Sequence, residues 1–160
     1  QMPDMLVRLW KLDYVSLRQK AAEIEKGSCV RIVRPLSPDF GRVRTFIHKE
    51  FGEGWASEAS ASLYRDPVGC FVAVDSKNQL IGFACCNATC RGFFGPTGVV
   101  KNRRGEGIGS ALLWKCMEAL WEQDFAYAVI GGAGPVDYYS KSVGATVIED
   151  SSPGIYIRRF

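Results

Sequence analysis

The chain reads as an α/β (α+β) domain on a mixed, mostly antiparallel central sheet, and three observations predict it. Two apolar runs, Cys70–Val74 and Leu80–Ala88, flank the polar turn Asp75–Gln79 in the manner of a β-hairpin. Gly92–Val100 and Ala126–Ile130 are further strand-like runs. Between them, Ile108–Gln123 has helical spacing over a wide apolar arc. Antiparallel strands followed by strand–helix–strand indicate one sheet with helices packed against it.

The remaining elements follow in chain order. Met5–Leu12 is apolar enough for a strand, and Tyr14–Lys26 has helical spacing with Gly27 as its stop. Val30–Val33 alternates as a strand and ends at Pro35. Ser37 suits an N-cap, with Pro38 at the first position of a helix towards Phe51. Gly52 and Gly54 break that helix, and Ser57–Tyr64 reads as a second short one. Gly95–Pro96 interrupts the third strand, where proline predicts a bulge or a splayed edge. Lys101–Gly107 reads as a loop and Val136–Ser142 as a short helix, with final strands at Val147–Glu149 and Ile155–Arg158. Trp114 and Trp121 widen the arc of the Ile108–Gln123 helix. The N-terminal segment or a dimer contact would cover its second side.

A length of 160 residues fits one domain, and 47% hydrophobic with 23% charged residues is ordinary globular composition. A net charge of +3 gives no argument for nucleic acid, and no apolar run is long enough to span a membrane. The start lacks the features of a secretory signal. The six cysteines form no CxxC pair and the single histidine is His48, so no metal site is expected. Reduced cysteines and a cytoplasmic setting are the plain expectation.

The chemistry concentrates at Lys101-Asn102-Arg103-Arg104-Gly105-Glu106-Gly107-Ile108-Gly109-Ser110, where a strand passes into a helix. The first turn of a helix leaves backbone N–H groups unpartnered and carries partial positive charge, and glycines let an anion approach them. Lys101, Arg103 and Arg104 add positive charge beside them. A Walker loop needs GxxxxGK[ST], which is missing. A dinucleotide fingerprint would need a glycine where Ser110 stands.

Arg104-Gly105-Glu106-Gly107-Ile108-Gly109 fits the pattern [R/Q]-x-x-G-x-[G/A]. Downstream, Tyr139-Ser140-Lys141-Ser142-Val143-Gly144-Ala145 is similar to an FYxKxGF segment with one extra residue. Together these resemble the GNAT superfamily of N-acetyltransferases. The resemblance covers about residues 30–160, so residues 1–27 would be an N-terminal extension packing on a 28–160 transferase domain. Phe93–Val99 and Ile130–Tyr139 are also similar to a bacterial subgroup associated with amino sugars.

The resemblance implies acetyl-CoA as donor and direct attack by a primary amine of a small molecule, with no metal. Gly98, Val99 and Val100 would pair with the pantetheine arm, and the amide of Val99 or Val100 would polarise the thioester carbonyl. Backbone groups of Arg104, Gly105, Glu106, Gly107, Ile108, Gly109 and Ser110 would hold the pyrophosphate. Tyr139 would be the general acid, with Tyr138 as the alternative by register. No carboxylate lies on the Gly92–Val100 strand, which leaves Glu53, Glu58 and Asp137 as bases, Glu58 favoured. Trp55 would line the acceptor pocket. The expected partners are a small-molecule amine and either no second copy or a homodimer. A non-catalytic acyl-CoA-binding module is the alternative.

Overall fold

The computed structural model describes residues 2–160. Its strands are β1 (Met5–Arg8), β2 (Arg31–Val33), β3 (Cys70–Val74), β4 (Leu80–Cys86), β5 (Phe93–Val99), β6 (Tyr127–Ile130) and β7 (Thr146–Val147). The helices are α1 (Tyr14–Ser28), α2 (Phe40–Phe51), α3 (Glu53–Leu63), α4 (Ile108–Glu122) and α5 (Val136–Val143). The seven strands form one sheet in the order β2-β3-β4-β5-β6-β1-β7. Every neighbouring pair is antiparallel except β5 and β6.

Strand alternation sends side chains to two separate cores. Met5, Val7, Cys86, Phe94, Ala128 and Ile130 join Leu112 and Met117 of α4 on one face. Phe83, Cys85 and Val72 join Val43 and Ile47 of α2 and Ala56 of α3 on the other. Helix α1 lies over the outer side of α4. Tyr14 stacks on Trp121 at 6.1 Å, and Arg18 pairs with Glu118 at 3.1 Å. The wide apolar arc of α4 is therefore covered by the sheet and by the N-terminal segment. That segment also supplies β1, bonded on both edges between β6 and β7.

Where the structure differs from the sequence reading, local geometry gives the reason. The first strand stops at Arg8, because Leu9–Lys11 coils into a 3-10 turn. Ser37 opens a 3-10 turn, Ser37–Asp39, and its side chain caps nothing. Gly52, at φ 101°, alone separates α2 from α3, so Gly54 lies inside the second helix. The last strand shrinks to Thr146–Val147. The stretch expected as a strand over 155–158 coils into a 3-10 segment, Gly154–Arg158 (the helical bond from Arg159 N–H to Tyr156 O closes it).

Two irregularities position the site. The β4–β5 register shifts between Ala84 and Cys86, opposite Gly95–Pro96, which is the bulge that proline required. Strands β5 and β6 pair only at Phe93–Val129 and Phe94–Ile130, then part. A cleft opens through the sheet just beyond Phe94.

Gly69 sits where the chain enters β3. It donates to Ser62 O and accepts from Cys86 N–H at 2.8 and 2.7 Å. A Cβ there would lie 2.2 Å from Cys86 O, a backbone atom. Gly69→Ala is expected to cost about 3 kcal/mol and to lower Tm by roughly 6–12 °C. Thermal unfolding checks it; an unchanged Tm would mean that this backbone crossing yields freely.

Candidate active site

The turn before α4 presents an unusual run of free donors. Gly105 and Gly107 both have φ 86°, a conformation that glycine adopts without strain, and Gly107 is the N-cap of α4. Arg103 N–H and Arg104 N–H turn back to Val100 O and Lys101 O. Among the described residues, none of the six amides from Gly105 to Ser110 donates to a backbone or side-chain acceptor. Six such N–H groups, at the positive end of a 15-residue helix, form an anion nest.

A groove of about 530 Å³ runs from this nest along the parted edge of β5 to Tyr139. Of the residues expected to bind the donor, all line it except Val100 and Glu106. Val100 N–H donates to Ile81 O at 2.9 Å, so it faces β4 and cannot reach a ligand in the cleft. That bond fixes the alternation of the antiparallel ladder. Phe83 and Gly98 form the next hydrogen-bonded pair, and the amides of Thr97 and Val99 turn to the open edge. The outward amides on this edge are those of Thr97, missed in the sequence, and Val99, whereas Gly98, expected to pair with the donor, faces β4 like the Val100 amide.

Glu106 turns away because Arg103 grips it through Nε and Nη2, at 2.9 and 3.2 Å. The same guanidinium donates to Ser28 O at 2.9 Å, stapling the turn to the end of α1. Its hydrogen bonds hold the Glu106 carboxyl below the ordinary range. Arg104 has no carboxylate partner among the described residues. Its Nε donates to Val99 O at 3.0 Å, which lays its charge along the groove wall.

The glycines divide their work differently from the sequence expectation. A Cβ on Gly107 would point at Ile24 Cδ1 of α1, 3.0 Å away, rather than at a phosphate. A Cβ on Gly109 would meet only Val99 Cγ2, at 3.8 Å, across the groove. Gly109 is therefore the position where added bulk blocks the groove.

Helix α5 delivers two tyrosines to the far end. Tyr138 hydroxyl shares a 2.7 Å hydrogen bond with Ser110 Oγ, closing α5 onto α4. Tyr139 is buried, its ring edge-on to Phe94 at 6.2 Å. Its hydroxyl has no partner among the described residues, and no buried side-chain oxygen lacks one, so this hydroxyl reaches open groove. Burial, with Tyr138 adding to it, pushes its pKa up to about 12.

The remaining expected residues lie elsewhere. Trp55 is half-exposed on α3 and stacks on Phe51 at 5.8 Å. Phe51 in turn presses on Gly98, where a Cβ would come within 2.6 Å of its ring. Glu58 accepts a 2.7 Å hydrogen bond from Tyr156. Glu53 is occupied by Arg44 and His48, at 2.6 and 3.1 Å, and Asp137 is exposed on α5. Trp55 and Glu58 sit on the α2–α3 face, the nest and Tyr139 on the α4 face. Neither Trp55 nor Glu58 is among the residues that line the groove.

The acetyltransferase (GNAT) family matches residues 40–141, well over half of the chain. The chain belongs to the GNAT family. No curated protein sequence matches this GNAT domain significantly. Its fold is shared with solved structures at low sequence identity. One is a GCN5-related glucosamine N-acetyltransferase region of a fungal multi-domain GH3 β-N-acetylglucosaminidase, with TM-score 0.74 and 15% identity, covering 92% of this chain and 20% of that one. A second is a GCN5-related N-acetyltransferase from Sphaerobacter thermophilus, with TM-score 0.67 and 16% identity over 92% of this chain and 48% of the other. A third, from Brucella melitensis and in complex with acetyl-CoA, has TM-score 0.55 and 21% identity over 71% and 81%. The chain thus spans about a fifth and about half of the first two. Among the described residues, no helix of this GNAT domain is long and apolar enough to cross a membrane.

Proposed function

We propose that this domain transfers the acetyl group of acetyl-CoA to a primary amine of a small molecule, an amino sugar being the favoured class. The observation that carries it is the run of six free amides, all but that of Glu106 on residues lining a groove that ends at the Tyr139 hydroxyl. The fit is good: a pyrophosphate needs several convergent donors, and the nest supplies them without Cβ obstruction at Gly105. Acetyl-CoA supplies an activated acyl carbon and a thiolate leaving group. The fungal relative's glucosamine activity supports the acceptor class.

In this reading the amides of Gly105–Ser110 hold the pyrophosphate, and Arg104 with Lys101 adds charge. The outward backbone groups of Thr97 and Val99 pair with the pantetheine arm, and Val99 N–H polarises the thioester carbonyl. Tyr139 donates to the sulfur as charge develops there. With a pKa near 12 the phenol is fully protonated at neutral pH. Complete transfer to a thiolate of ordinary pKa about 8.5 is uphill, so its contribution is mainly charge stabilisation with proton supply. Trp55 offers an aromatic face to a sugar or a cation, and Glu58 a carboxylate beside the approach.

Calorimetric titration followed by thiol release over a panel of amines tests the proposal. CoA should bind and NAD should not, and at least one amine should release thiol. Among the described residues, the groove walls carry no carboxylate, which is the observation favouring a non-catalytic acyl-CoA-binding module. Tight CoA binding with silence across the panel would decide for that module. Arg104→Gln should weaken CoA about tenfold, with the loss shrinking at high salt. A salt-independent loss would assign Arg104 to packing instead.

A further inference from the structure

On the α2–α3 face of the cleft, one carboxylate is held more firmly than either of the two expected there. Asp4 precedes β1, and the β1–β6 register sets it opposite Gly131, one residue beyond the Ile130–Phe94 pair where the cleft opens. Alternation turns Met5 to the α4 core and Asp4 to the other face. The surroundings agree: a Cβ on Gly131 would meet the Phe93 ring at 3.3 Å and Asp4 Oδ1 at 4.0 Å.

Asp4 is fixed at three points. Its N–H donates to Ser151 Oγ at 2.8 Å, its carbonyl accepts from Ile148 N–H at 2.9 Å, and Oδ1 accepts from Gly132 N–H at 2.8 Å. The residue is only 9% exposed, yet Oδ2 has no donor among the described residues. Among the described residues, no buried side-chain oxygen is left unpartnered, so Oδ2 keeps access to solvent. The C-terminal 3-10 segment completes the enclosure. Gly154 lies against Oδ2, and two residues on Tyr156 donates to Glu58 of α3. Burial and the charges of Glu58 and Asp4 both hold the Tyr156 phenol protonated, which fits two carboxylates on either side of it.

We propose that Asp4 receives the acceptor's amino group at the cleft, orients it as a cation through Oδ2, and takes one of its protons to free the lone pair that then attacks. This rests on the acetyl-transfer reading above. The amine nitrogen bonds to the acetyl carbonyl carbon, the carbon–sulfur bond breaks, and its electron pair leaves with sulfur. Of the three protons on the ammonium group, one passes to Asp4 and on to solvent. A second replaces the proton that Tyr139 gives to sulfur, and the third stays on the amide product. Asp4 suits this role better than Glu58, whose Oε2 is already occupied by Tyr156.

Asp4→Asn keeps the volume and an oxygen for Gly132 N–H but removes the charge. With glucosamine, spermidine and a lysine ester as probes, kcat/KM for the best acceptor should fall about 100-fold or more, while CoA affinity stays within about threefold. Turnover close to wild type, or CoA affinity falling in step with turnover, overturns the assignment. A second measurement needs no variant: the CoA-saturated wild type should bind glucosamine about tenfold more tightly than glucose. Equal affinities overturn it, whether or not Asp4→Asn folds. Failure of the acetyl-transfer reading looks different, because wild type itself would then bind no CoA or release no thiol, removing the reaction assigned to Asp4.

Discussion

Tyr139→Phe is expected to lower kcat by about 10²–10⁴-fold and to leave CoA affinity nearly unchanged. The hydroxyl bonds to nothing in the protein among the described residues, so its loss breaks no internal hydrogen bond. The ring keeps its packing on Phe94 and Tyr138, and stability should move by less than about 1 kcal/mol. Single-turnover measurement of thiol release, beside a CoA titration, separates the two effects. Unaltered turnover would remove Tyr139 from the chemistry and turn attention to Tyr138. The raised pKa adds a pH signature. A phenol at about 12 in the folded protein and about 10 unfolded stabilises the fold fully below pH 10, and that contribution disappears between about pH 10 and 12. No alkaline limb of activity below about pH 10 should belong to Tyr139.

Gly109→Leu is expected to abolish CoA binding, by about 100-fold or more, in a protein that still folds. Leucine at this point in the first turn of α4 gains helix propensity over glycine, worth about 1 kcal/mol. Its side chain projects towards Val99 and fills the groove between helix and strand. Gly109→Ala is the control: one methyl at ordinary contact distance from Val99 should cost little affinity. Gly107→Val should behave otherwise. A β-branched residue at φ 86°, aimed at Ile24, strains the turn and loses stability together with CoA binding. Titration and thermal unfolding of the three variants distinguish blocking from strain. Equal loss of stability in Gly109→Leu and Gly107→Val would contradict the separation.

The nest was legible because its physics is local. Glycine spacing, the helix that follows and the basic residues beside it are all contiguous in the sequence. Tyr139 was legible only through its resemblance to a family segment, since nothing local marks its hydroxyl as free. That the Thr97 amide faces outward and the Val100 amide does not was not legible. Which amides face outward depends on the β4–β5 register, which the bond from Val100 N–H to Ile81 O on the neighbouring strand sets. Asp4 was invisible for a stronger reason. It comes to the cleft because β1 inserts between β6 and β7, a pairing across more than 120 residues that no pattern near Asp4 announces. The coiled Gly154–Arg158 segment was misread as a strand because apolar alternation alone cannot register the contact with Asp4 that the turn at Gly154 makes.

If the amides of Gly105–Ser110 are the anion donors for CoA, they must respond when it binds. Amide chemical shifts of the ¹⁵N-labelled chain, followed as CoA is added, read that response. The largest movements should fall on Gly105, Gly107, Ile108, Gly109 and Ser110, with Thr97 and Val99 next, and NAD should move none of them. CoA binding that leaves those amides in place would mean that the phosphates sit elsewhere on the domain.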